Sequence, residues 1–477
     1  MNVDKTRTKI VCTIGPASSS EEVLTGMIEE GMDVARINLS HGTHADAREM
    51  FDRIRSIDDC IAIMLDLQGP KIRVGEMKEA VTLKTGDEFT LSVEDFVGDG
   101  HRVSVSHKEL AEDLKVGDIV AINDGTVRLT VKEVKGSEIF TNVVNGGVVS
   151  SHKGINVPGI KLSCGIPTEK DLKDLDFAAE VEPDLIALSF VREADDVRRV
   201  NEIVEANGPH GVDIISKIEH MLAVKNYEEI LEESHGVMIA RGDLGIEVPI
   251  EDVPILQRDL IRKANVWARP AIVATHMLES MTTETIPTRA EVSDVAHAVF
   301  DRSDAVMLSE ETAVGHDPVA VVQMMQKIVH KAESRLPDID PLEITSQKKM
   351  IVEIIGNLIY NAVLLIPDKI DGIVTSTRSG FTARWIAKFR PPVEIYAVTN
   401  SRRVMRKLRL LWGIYPIFFD KTLNDVDSLV QDSVRAVHAE GLLDDDKDVI
   451  FTSGTRLIPG RTNIVGLYHI RDLIRTV

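Results

Sequence analysis

Apolar residues in this chain fall into short, nearly unbroken runs that stop abruptly at polar ones. Eight such runs are KIVCTIG (9–15), DVARINLS (33–40), AIMLDLQG (62–69), DLIALSFV (184–191), DIISKIE (213–219), VMIARGDLG (237–245), AIVATHM (271–277) and AVMLSEE (305–311). Runs of this kind predict parallel strands covered on both faces. Between most of them lie segments with helical spacing, such as SSEEVLTGMIEEG and YEEILEESHG, and Thr168-x-x-Asp171 reads as a helix start. The repeat predicts an α/β fold, a (β/α)8 TIM barrel built from residues 1–73 and 158–340.

From 74 to 157 the pattern changes to period two, as in VRLTVK (127–132). Turn signals punctuate it at Asn123-Asp124-Gly125, Lys135-Gly136 and Asn145-Gly146-Gly147. This predicts an all-β domain inserted at the catalytic end of the barrel, placed to act as a lid that excludes water. A linker with Pro337 and Pro341 follows the barrel. Residues 347–477 then alternate helix with strand (GIVTS, VEIYAVT, GIYPIFF, DVIFTS), which predicts a C-terminal α/β sheet domain.

The longest apolar stretch, Met350 to Ile366, is interrupted by Glu353, Asn357 and Asn361 at four-residue spacing. One polar stripe on a buried helix is expected there, not a membrane span. The first ten residues show no signal-peptide pattern, and the cytoplasm is the expected location. Cys12, Cys60 and Cys164 match no zinc or disulfide framework. A net charge of −21 argues against nucleic-acid and anionic-membrane partners. If the substrates are phosphates, the cations must gather in one cleft.

The strand ends supply them. The second run ends in Arg36, Asn38 and Ser40, and the third in Asp66 with Lys71 and Arg73 beyond. The fourth gives Ser189, the fifth Lys217 and Glu219, the sixth Arg241, Gly242 and Asp243, and the seventh Thr275-His276. Active sites of such barrels lie at this end. Lys217 with Glu219 alone reads slightly better as an internal ion pair than as chemistry. Asp243 on a neighbouring strand shifts the balance: two carboxylates make a hard-oxygen site suited to Mg²⁺ or Mn²⁺. A lysine beside them suits a developing enolate or a phosphoryl oxygen.

TKIVCTIGPAS (8–18), NLSHGTH (38–44), SKIE (216–219), ARGDLG (240–245), ATHMLESM (274–281) and PTRAEVSDVAHAV (287–299) together resemble the pyruvate kinase family, and the likeness runs to PGRTN (459–463). The resemblance implies a Mg²⁺-dependent transfer of the phosphoryl group of phosphoenolpyruvate to ADP, giving pyruvate and ATP. It implies that Glu219 and Asp243 bind Mg²⁺, that Lys217 stabilises the transition state, and that Arg36 grips the phosphate. Gly242, Asp243 and Thr275 would hold the substrate carboxylate, and Thr275 would help protonate the enolate. Asn38, His41, Arg73 and Lys153 would contact the nucleotide. A homotetramer is the family expectation.

Many members of the family also need K⁺. The matching positions are Asn38, Ser40, Asp66 and the carbonyl of Leu67, but Lys71 stands where potassium-dependent members typically carry glutamate. A tethered ammonium in that cavity predicts that K⁺ is not required; the competing reading is a lysine that simply points to solvent. His276 replaces a usual glutamine and Glu310 a usual glycine, and no mechanism is attached to either. In the third domain Thr375, Ser376, Thr377, Arg378, Ser379 and Thr382 form a hydroxyl-rich strand-to-helix loop. It suits a phosphorylated effector as well as it suits plain helix capping. Two rival functions are a nucleotide-free Mg²⁺-enolate lyase and a catalytically dead scaffold. Arg73, Lys153 and the lid argue against the first, and the retained Lys217, Glu219 and Asp243 against the second.

Overall fold

The computed structural model describes residues 6–208, 211–336, 350–420, 426–454 and 462–475. Pro337, Pro341, Gln347 and residues 459–461 lie outside the described residues. Eight parallel strands close into a barrel in chain order: Lys9–Ile14, Val34–Asn38, Ala62–Asp66, Leu185–Leu188, Asp213–Ile218, Gly236–Ala240, Ala271–Ala274 and Ala305–Leu308. The first pairs with both the second and the last, so the sheet has no edge.

Alternation along each strand divides two cores. Ile10, Cys12, Ile63, Leu65, Ile186, Leu188, Val237 and Ile239 pack against the surrounding helices. Val11, Val34, Ala62, Met64, Leu185, Ala187, Ile215, Met238, Ile272 and Met307 fill the barrel interior. Each fully buried aliphatic side chain contributes about 1.5–3 kcal/mol. The inward parity then continues upward into Thr13, Arg36, Asp66, Ser189 and Lys217. The polar site is the top layer of the same interior stack.

The helices begin where capping residues allow. Thr43, Thr168 and Thr288 each accept a backbone N–H three residues on, with Asp46, Asp171 and Glu291 returning the bond.

The chain leaves the third barrel strand through Ile72–Arg73 and returns through Gly154–Asn156, and these two short strands pair with each other. Both belong to a seven-stranded sheet, which with a further two-stranded sheet surrounds an apolar core of its own. The turn Asn123-Asp124-Gly125 has positive φ at all three residues, which explains its composition. The C-terminal sheet has five strands, four parallel and the last antiparallel. Its cations meet acids at the lower rim of the barrel. Arg390 holds Asp304 at 2.8 Å, and Arg406 holds Asp184 at 2.7 Å.

Two local expectations need correction. Gly242-Asp243-Leu244-Gly245 reads from sequence as a strand-to-loop transition, but a helix, Arg241–Glu247, begins directly after the strand. Neither glycine has positive φ, and Asp243 sits in the first turn, where a carboxylate suits the helix dipole. In the helix Met350–Leu365, Glu353 belongs to no exposed stripe: it is fully buried and bonded to Lys388 at 2.6 Å. The solvent side of that helix carries Ile351, Ile354, Leu358 and Leu365 instead.

Candidate active site

The upper end of the barrel holds a cavity of about 150 Å³ whose lining includes Arg36, Asp66, Lys71, Lys217, Asp243 and Thr275. Asn38, Ser40 and His41 line it as well.

At its floor the side chains form one network. Arg36 Nε donates to Asp66 Oδ2 at 2.7 Å, and its Nη1 donates to Thr13 Oγ1 at 2.8 Å. Lys217 Nζ donates to Ser189 Oγ at 2.8 Å and stands 3.4 Å from Asp66 and 3.5 Å from Glu219. The Ser189 hydroxyl in turn donates to the Leu67 carbonyl at 2.6 Å. Sequence reasoning gives neither Thr13 nor Ser189 a role. Their inward parity at strand ends is the signal that finds them.

Burial and charge act against each other here. Burial disfavours an ionised Asp66, but Lys217 and Arg36 outweigh it and hold the carboxyl below its ordinary value. Burial also disfavours charged Lys217, yet Asp66 and Glu219 keep its ammonium above the usual lysine range. Glu219 is the exception. Burial, only partly offset by Lys217, pushes it up to about 7. Asp243 is raised as well, by burial first and by Asp124 and Asp66 after it, against Lys217 and Lys71. His41 is lowered by burial and by Lys71, Arg73 and Arg36.

Glu219 Oε1 accepts the Phe190 N–H at 2.6 Å, while Oε2 is buried with no hydrogen-bond partner among the described residues and faces Lys217 Nζ at 3.5 Å. A buried carboxylate oxygen without a donor is costly to ionise. A divalent cation between Glu219 and Asp243 would satisfy it, so the donor set fits Mg²⁺ or Mn²⁺. Among the described residues no group of three or more His, Cys, Asp or Glu side chains could hold a metal. A cation there would need further ligands from substrate and water.

Thr275 and His276 both lie in the left-handed region, with φ of 68° and 54°. For residues with a side chain this costs of order 1–3 kcal/mol each. Arg241 fixes the turn, donating to the Thr275 carbonyl at 2.7 Å while its other nitrogen bonds Asp294 at 2.8 Å. Arg241 thus braces the wall and is not one of the cleft cations. Thr275 Oγ1 accepts from Gly242 N–H at 2.9 Å and donates to the Ala274 carbonyl at 2.6 Å.

Arg73 and Lys153 lie outside this cavity, on the paired strands and turn that carry the inserted domain. Arg73 donates to the His152 carbonyl at 2.9 Å, and Val74 N–H bonds the Lys153 carbonyl at 2.8 Å. Lys71 is exposed but lines the cavity with Asn38, Ser40 and Asp66. His276 is largely exposed, 3.9 Å from Glu279. In the C-terminal loop, Thr377 Oγ1 accepts Gly380 N–H at 2.9 Å and Thr382 bonds Thr462 at 2.6 Å. The Thr375 hydroxyl is buried with no partner among the described residues. Ser376, Arg378 and Ser379 complete the loop.

A barrel with a basic and carboxylate-rich upper layer and an inserted lid defines a class of metal-assisted phosphoryl-transfer enzymes, and comparison with known proteins agrees. Residues 5–322 match the pyruvate kinase barrel domain and residues 362–467 the pyruvate kinase alpha/beta domain. The pyruvate kinase of Thermococcus litoralis is 42% identical over 95% of this chain and 96% of its own. That of Sporosarcina psychrophila is 41% identical over 98% of this chain and 81% of its own. The crystal structure of a pyruvate kinase from Cryptosporidium parvum superposes with a TM-score of 0.89 at 32% identity, covering 97% of this chain and 96% of that one. The chain belongs to the pyruvate kinase family, enzymes of glycolysis that exchange a phosphoryl group between phosphoenolpyruvate and ADP. Among the described residues no helix is long and apolar enough to cross a membrane.

Proposed function

We propose that the cavity over Lys217 is where the phosphoryl group leaves phosphoenolpyruvate for ADP. The observation that carries this reading is the shared cluster of Lys217, Asp66, Ser189 and Glu219, with one Glu219 oxygen left open. Glu219 and Asp243 hold Mg²⁺ or Mn²⁺. When bound, that cation would supply neutralisation of the charge gathering on substrate oxygens.

Arg36, oriented by Asp66 and Thr13, grips the phosphate with the nitrogen left over. Lys217 stands between the transferring group and the enolate oxygen. Because Asp66 and Glu219 keep its charge in place, the ammonium is ready before substrate arrives. Gly242, Asp243 and Thr275 hold the carboxylate, and Thr275 helps deliver the proton that turns the enolate into pyruvate. Asn38, His41, Arg73 and Lys153 hold ADP, the last two moving with the lid. The enzyme works in the cytoplasm.

Lys71 replaces K⁺ in this reading. It lines the same cavity as Asn38, Ser40 and Asp66, and the Leu67 carbonyl already accepts the Ser189 hydroxyl. The test is pyruvate formation from phosphoenolpyruvate, ADP and Mg²⁺ with tetramethylammonium as the sole monovalent cation. Full activity without K⁺ is expected, and Lys71→Glu should make activity depend on K⁺. Strong saturable activation of the wild type by K⁺ would overturn the Lys71 assignment and leave the reaction standing.

The exposed apolar residues Ile351, Ile354, Leu358 and Leu365, with Val465 and Leu467 on the last strand, fit burial between copies in a homotetramer. The loop 375–382, whose buried Thr375 hydroxyl has no partner among the described residues, would take a phosphorylated effector.

A further inference from the structure

The return path of the inserted domain is clasped to the barrel by side chains outside the reacting centre. Glu247, the last residue of the helix that carries Gly242 and Asp243, is buried. Its Oε2 accepts Gly159 N–H at 3.0 Å and Met221 N–H at 3.3 Å. His220 follows Glu219 directly. Its Nδ1 accepts Leu222 N–H at 3.1 Å, so the proton sits on Nε2. That nitrogen faces the Ile160 carbonyl at 3.2 Å and the same Glu247 oxygen at 3.5 Å. A third buried side chain, Arg192, donates to the Leu162 and Cys164 carbonyls at 2.8 and 2.9 Å.

Gly159 has φ of +76°, and a Cβ there would meet nothing within 4 Å. The glycine therefore serves the turn and not a close approach. Beside it a cavity of about 60 Å³ is walled by Gly154, Ile155 and Asn156 from the lid side and by Lys71, Asp243 and Glu247 from the barrel. The seam has room to shift, so the clasp and not dense packing sets its angle.

We propose that Glu247, assisted by His220, is a positioning residue that fixes the angle of the lid and so the placement of its nucleotide-contacting residues over the site. One carboxylate oxygen joins three pieces: the lid return at Gly159, the loop just after Glu219, and the helix bearing Asp243. A packed fold has no need of a buried carboxylate at this seam, where apolar residues would cost less. Its use is to hold the lid to a reference point on the barrel. Small displacements matter at that distance, since a misplacement of about 1 Å in a reacting group can cost about a hundredfold in rate.

The inference rests on the reading that Arg73 and Lys153 hold ADP, so the test has two independent readouts. Steady-state kinetics and amide hydrogen exchange of residues 157–162 are measured for wild type, Glu247→Ala, Glu247→Gln, His220→Leu and Lys153→Ala. Glu247→Ala should raise KM for ADP about tenfold with KM for phosphoenolpyruvate within about twofold, and should speed exchange of 157–162. Glu247→Gln keeps an oxygen able to accept both N–H groups and should recover most of the loss. His220→Leu should act in the same direction with smaller size, and it carries the test if Glu247→Ala fails to fold.

Unchanged exchange at 157–162 would overturn the clasp. Faster exchange with an unchanged KM for ADP, while Lys153→Ala raises it, would overturn its positioning role. If Lys153→Ala leaves KM for ADP unchanged, the nucleotide assignment fails, and the exchange data still decide the clasp.

Discussion

Lys388 and Glu353, in the C-terminal domain, meet at 2.6 Å with neither side chain exposed. Lys217 and Glu219, at the top of the barrel, stand 3.5 Å apart and share their charges with Asp66, Ser189 and Asp243. In the first pair, burial lowers Lys388, with Glu353 as the opposing partner and the Trp385 and Phe389 rings close by. In the second, neighbouring carboxylates keep the lysine above its ordinary value, and one glutamate oxygen has no hydrogen-bond partner. Residue types are the same in both. The closed pair is joined by one short hydrogen bond away from solvent and does structural work, whereas the open pair keeps a charge and an acceptor in reserve for something that binds.

The comparison breaks most sharply at Lys217. Lys217→Met should lower kcat by roughly 10²–10³-fold or more, as removal of a preorganised charge at a transition state does. Thermal unfolding should change less than in Lys388→Met. Asp66 keeps Arg36 as a partner, and Glu219, already raised to about 7 by burial, takes up a proton in place of its lost counter-charge. A variant that merely melts earlier would make the two pairs alike. Lys388→Met should do the opposite. It leaves a buried glutamate uncompensated and should cost about 3–5 kcal/mol of stability by chemical denaturation, with kcat per folded enzyme unchanged. Little loss of stability would mean that the tight pair is not structural.

Which of these pairs would be reactive was only partly legible in the chain. The eight apolar runs and the period-two insertion specify the barrel and lid because parallel strands buried on both faces carry a strong local signal. Arg36, Asp66, Lys217 and Asp243 were legible by position, since polar residues at strand ends sit on the open rim. Ser189 was legible as a strand-end residue but not in its role, and Thr13 not at all, because a hydroxyl at a strand end has no distinctive pattern until neighbouring strands set its register. Arg241 reads as a cleft cation, but Asp294, 53 residues away, turns it into the wall. Glu353 reads as part of a polar stripe at an exposed or interface edge for the same reason. Its partner Lys388 lies 35 residues on, in another helical segment, and only packing brings them together. The start of a helix at Arg241 was hidden by glycines that look like a loop.

The most direct test of the open pair is metal binding as a function of pH, measured by Mn²⁺ titration of wild type and Lys217→Met. Glu219 is raised to about 7 by burial, so below that value a cation must displace its proton. Apparent affinity should fall about tenfold for each pH unit below about 7 and flatten above it. For the metal-free protein the sign is that of a raised acid: stability is lost as pH climbs from the ordinary value of 4.5 towards about 7. The account predicts this bend near pH 7 in the wild type, and undiminished Mn²⁺ binding in Lys217→Met despite its lost turnover. An affinity flat across about pH 5.5–8, or a Lys217→Met variant that no longer binds Mn²⁺, would contradict it.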